Sequence, residues 1–89
     1  MIKLIAVAPH SGYELRLSFS DGTSGVYDFT PFVDARTEMT APLADRTFFA
    51  RHFIELGALA WPNGFDLSAA SLQARLREDG KLQPARKVA

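Results

Sequence analysis

The sequence predicts an α+β fold: a small antiparallel sheet packed with short helices. One sign is the strict alternation of "YELRLSFS" at residues 13–20, with Tyr13, Leu15, Leu17 and Phe19 on one side and Glu14, Arg16, Ser18 and Ser20 on the other. A period of two marks a strand with one buried and one wet face. A second is the Asp21-Gly22 turn that follows, since glycine tolerates the positive φ of tight hairpins. The third is "SAASLQARLRED" at residues 68–79, where Ala69, Leu72 and Leu76 recur at helical spacing behind Ser68, a good N-cap.

The elements follow in order. "IKLIAVA" reads as a first strand, closed by Pro9, and "GVYDF" as the return strand after the Asp21-Gly22 turn, with Tyr27 and Phe29 facing the core. Together with residues 13–20 they make a three-stranded meander, wet on one side. "TPFVDARTEMTAPLAD" has two prolines and no sustained period, so it reads as a loop with one helical turn at Pro31 to Asp34. "DRTFFARHF" is a brief helix capped by Asp45. "IELGALAW" reads as one later strand, with Gly57 as a bulge or a point of close approach and Leu59 and Trp61 on one face. "WPNGFDLS" then joins strand to helix: Pro62 presets φ, and Asn63-Gly64 tolerates left-handed geometry. Gly80 ends the last helix.

Eighty-nine residues make one core, here assigned to a single domain over residues 1–80, with residues 81–89 as a basic, solvated tail. No cysteine is present, so disulfides and thiolate metal sites are excluded and a cytoplasmic location is expected. The apolar run Leu4 to Ala8 is shorter than a signal h-region, and no run approaches the length of a membrane helix. Ten basic and ten acidic residues cancel overall, which gives no long-range attraction to phosphate backbones. The distribution is uneven: residues 1–74 hold five basic and eight acidic side chains, residues 75–89 five basic and two acidic. The tail is therefore the one place where nucleic acid or another acidic partner would bind.

The W-P-N-G-x-D-L-S stretch at Trp61 to Ser68, preceded by Asp21-Gly22 and by Asp28 with Pro31 three residues on, resembles the bacterial domains of unknown function catalogued as DUF 2442. The likeness covers roughly Met1 to Leu76, and its C-terminal signature is the specific part. It implies a small α+β unit without an assigned activity. It also implies a gene setting like that of toxin–antitoxin pairs, and some longer members append a helix-turn-helix module that this chain does not show. The helix start departs from the usual S-P-E of such domains, reading Ser68-Ala69-Ala70.

No catalytic constellation emerges. His52 and Glu55 stand three apart without a third ligand nearby, and His10 is alone, so no metal or other cofactor is expected. "GTSG" at residues 22–25 sits in a hairpin and is no nucleophile elbow. The expectation is a non-enzymatic protein-interaction module, a homodimer or the partner of another small protein. Phe48, Phe49 and Phe53 form its candidate oligomer surface, because three aromatics so spaced cannot share one helical stripe; the competing reading folds the loop at residues 34–44 over these rings. The alternatives are a small-ligand or catalytic site near Trp61 and Asp66, and nucleic-acid binding through the tail. For Trp61, Asn63, Gly64 and Asp66 the competing assignment is structural: Trp61 in the core, and Asp66 accepting backbone N–H groups to lock the turn.

Overall fold

The computed structural model describes residues 1–85. Strands β1 (Leu4–Pro9), β2 (Glu14–Phe19) and β3 (Ser24–Asp28) form the expected antiparallel meander in the order β1-β2-β3. Register places Leu15 opposite Tyr27, Leu17 opposite Gly25, and Val7 opposite Leu17. Leu15, Leu17, Phe19 and Tyr27 therefore point to one face and are buried. Each fully buried leucine or phenylalanine contributes roughly 1.5–3 kcal/mol relative to exposure.

Helix α1 (Thr30–Ala35) follows directly, started by Asp28, whose Oδ1 accepts the Thr30 N–H (2.9 Å) and hydroxyl (2.6 Å). Residues 36–45 close over the core through buried Leu43 and Thr40, and the Tyr13 hydroxyl donates to the Ala44 carbonyl. Asp45 caps α2 (Arg46–Phe49), accepting the Thr47 N–H at 2.9 Å.

The later strand is where the architecture departs from expectation. "IELGALAW" is a hairpin, β4 (Phe53–Glu55) and β5 (Ala58–Ala60), which with β6 (Asp66–Leu67) makes a second three-stranded antiparallel sheet. Gly57 is half of the turn rather than a bulge, and it is the expected point of close approach, where a Cβ would lie 2.9 Å from Lys3 Cβ. Its carbonyl accepts the Leu4 N–H (2.8 Å), a contact that holds β4 beside β1 without merging the sheets. Helix α3 (Ala69–Glu78) is capped by Ser68, whose Oγ accepts the Ser71 N–H at 3.1 Å, and it buries Ala69, Leu72, Gln73 and Leu76.

One turn is used twice. In Phe19-Ser-Asp-Gly-Thr23 and Trp61-Pro-Asn-Gly-Phe65 the leading aromatic is buried. Its C=O accepts the glycine N–H (3.0 Å in both) and its N–H donates to the fifth residue's C=O (2.9 Å in both). Gly22 (φ 88°) and Gly64 (φ 91°) take the left-handed position of a three-residue hairpin loop with a G1 bulge.

The chain past α3 is not a free tail from residue 81. Lys81 N–H donates to the Leu76 C=O, and Gln83 exchanges two hydrogen bonds with Ser24 on the edge of β3 (3.1 and 2.7 Å). This pairing needs Gly25, where a Cβ would lie 2.8 Å from the Lys81 carbonyl oxygen. The basic pair Arg86-Lys87, on which the nucleic-acid alternative leans, lies outside the described residues.

Candidate functional site

The Trp61 corner is interior. Trp61 is 1% exposed and packs against Phe29, Phe49 and Phe65 at centroid distances of 5.8, 5.8 and 5.7 Å. Its indole N–H donates to the Phe49 C=O at 3.0 Å. That oxygen is a carbonyl of the last turn of α2, which has no partner within the helix and also accepts from His52 Nδ1 (3.2 Å).

The lock on the turn is Asn63, not Asp66. Asn63 Oδ1 accepts the Phe65 N–H (3.2 Å), and its amide donates to the Met39 C=O (3.0 Å), tying the hairpin to the segment before α2. Strand alternation in β6 turns Leu67 to the core and Asp66 outward, where its carboxylate accepts no hydrogen bond among the described residues. The same side-chain device recurs at Asp21, whose Oδ1 accepts the Thr23 N–H (3.0 Å) and hydroxyl (2.6 Å). Asp21 Oδ2 adds a bond from buried Gln73 Nε2 (2.9 Å), pinning α3 to the meander. The Thr23 hydroxyl, the Thr23 N–H and then Gln73 hold the Asp21 carboxyl below its ordinary value. Asp28 is held low by the Thr30 hydroxyl and N–H, with the Lys81 charge adding to them.

The three phenylalanines do not make one surface. Phe49 is 4% exposed and meets Tyr13 edge-on at 5.2 Å, so it is core and offers nothing to a partner. Phe48 is half-buried against that core. Phe53 alone is exposed, at 41%, because it lies on β4 rather than on the helix.

Among the described residues, the large apolar side chains left exposed besides Met1 and Met39 are Ile5, on the wet face of the meander, and Phe53, Ile54 and Leu56 on or beside β4. Leu56 is the extreme case, 97% exposed at the tip of the β4–β5 hairpin. Glu55 pairs with Ala58, so Leu56 and Gly57 are the whole loop, with φ of 51° and 79°. Two positive φ values define the type I′ geometry that Asn-Gly serves best, and an L-residue with a γ-branched side chain pays to sit there. Gly57 is further fixed because a Cβ would lie 2.9 Å from Lys3 Cβ and Cγ. Beside the tip opens a depression of about 240 Å³, walled by Ile2, Lys3, Ala58, Ala69 and Ala70 among others.

A second, shallow depression of about 480 Å³ lies on the wet face of the meander, with Arg16, Ser18, Ser24 and Gln83 in its wall. Neither depression touches Trp61, Asn63, Gly64 or Asp66. Among the described residues no group of three His, Asp or Glu side chains is placed to hold a metal ion, and no helix is long and apolar enough to cross a membrane.

Fold and surface together define a small α+β domain of two packed three-stranded sheets, whose polar clusters are spent on turns and caps. Residues 4–78 match the model of a family described as "Protein of unknown function (DUF2442)", and the chain belongs to that family. Comparisons with the curated proteins and with the solved structures found no match.

Proposed function

We propose that this domain is a non-enzymatic protein-interaction module that docks through the surface around the tip of the β4–β5 hairpin. One observation carries the reading: Leu56 holds a left-handed backbone conformation while its side chain contacts almost nothing in its own chain. Folding alone favours asparagine or glycine at that position, because both adopt positive φ more cheaply and neither exposes an apolar side chain. A strained, exposed leucine points to a contact outside the chain. Exposed Phe53 and Ile54 lie on the strand that leads to this tip.

The test compares wild type and Leu56→Asn as baits in extracts of the native host, with bound proteins identified by mass spectrometry. The substitution keeps the turn and removes the anchor. A protein recovered by wild type and lost with Leu56→Asn supports the reading. Identical recoveries from the two baits overturn it.

A further inference from the structure

We infer that the occupant of this surface is a second copy of the chain, related by a two-fold axis, with Leu56 of each copy seated in the apolar depression of the other. The inference rests on the docking reading above and adds the partner and its register.

A two-fold contact uses the same patch on both sides, so the patch must contain each feature together with its complement. Leu56 is the projection. The depression of about 240 Å³ beside it is the matching recess, and its apolar wall includes Ile2, Ala58, Ala69 and Ala70. Leu56 of the same chain lines the edge of that recess without filling it, since its side chain stands 97% exposed.

Charge is complementary on the same patch. Glu55 immediately precedes the tip, and the Lys3 stem passes over Gly57 on its other side. Both are exposed, and neither has an ion-pair partner among the described residues. The two-fold brings Lys3 of one copy to Glu55 of the other, and the pair is made twice. A net charge of zero leaves no long-range repulsion between copies.

Sedimentation equilibrium of the full chain tests this, with K3E, E55K, an equimolar mixture of those two variants, and L56N. Wild type should dimerise with a dissociation constant on the order of 10 µM, as befits a small interface. Either charge reversal alone should weaken dimerisation roughly tenfold or more, because two attractions become two repulsions. Mixing K3E with E55K should restore it, since each reversed charge then meets an opposite one. L56N should weaken it roughly hundredfold through the loss of two buried leucines. A wild type that stays monomeric at high micromolar concentration overturns the inference, as does a dimer indifferent to both reversals. A monomeric wild type that still captures a Leu56-dependent protein from host extract sinks only the second copy, not the docking surface.

Discussion

The Trp61 indole N–H and the Phe49 main-chain carbonyl meet at 3.0 Å across the core, joining the second sheet to the last turn of α2. The bond accounts for a tryptophan at this position rather than another large apolar residue. Trp61→Phe should cost roughly 1–3 kcal/mol, from the lost donor and the space left by the smaller ring. Urea unfolding followed by far-ultraviolet circular dichroism measures it.

The two hairpins differ in one atom that matters. Asn63 must accept from Phe65 N–H and donate to Met39 C=O, whereas Asp21 only accepts, from Thr23 and Gln73. Asn63→Asp places a carboxylate oxygen against the Met39 carbonyl and should destabilise by about 1–2 kcal/mol. A melting temperature unchanged by Asn63→Asp would contradict the assignment of Asn63 as the lock.

Acid should loosen the meander before it reaches the aromatic core. Asp21 and Asp28 bind protons less readily when folded than at their ordinary value of 3.8, through the Thr23 and Thr30 hydroxyls first. Their stabilisation is complete above that value and is lost as pH falls through the lower, folded values. Asp28→Asn should therefore flatten the acid limb of a stability-versus-pH curve below about pH 4 while leaving its neutral shape intact.

Gly25→Ala should destabilise by about 1–3 kcal/mol although its backbone needs no positive φ, because the new Cβ meets the Lys81 carbonyl at 2.8 Å and Leu76 at 3.1 Å. Hydrogen exchange at Gln83 should accelerate in the same variant. Unchanged exchange there would mean that residues 81–83 are not part of the packed structure.

Much of this fold was legible in residue order. The alternation of residues 13–19 placed the meander. Asp45 and Ser68 marked two helix starts, and Trp61 with Asn63-Gly64 marked a turn. The missed features share a cause, which is that tertiary contacts overrode the local signals. The β4–β5 turn carries Leu56 where a hairpin signal would be Asn, so the hairpin read as one strand. A four-residue α2 is too short for periodicity to show which phenylalanine is buried. Asp66 looked like the turn lock because it is charged and near, but alternation in β6 points it away. "KLQPA" shows no strand pattern, and its pairing with β3 depends on the space left by Gly25. The proposed docking surface has a single trace in the sequence, an apolar residue before glycine in "ELGA".

The most direct measurement is the thermal stability of Leu56→Asn at a concentration low enough that no chains associate. If Leu56 serves docking and not folding, asparagine relieves the left-handed turn at no packing cost. The gain should be about 0.5–1 kcal/mol, and the melting temperature should rise by a few degrees. A melting temperature that falls by the same amount would show that Leu56 supports its own fold, and would contradict the account.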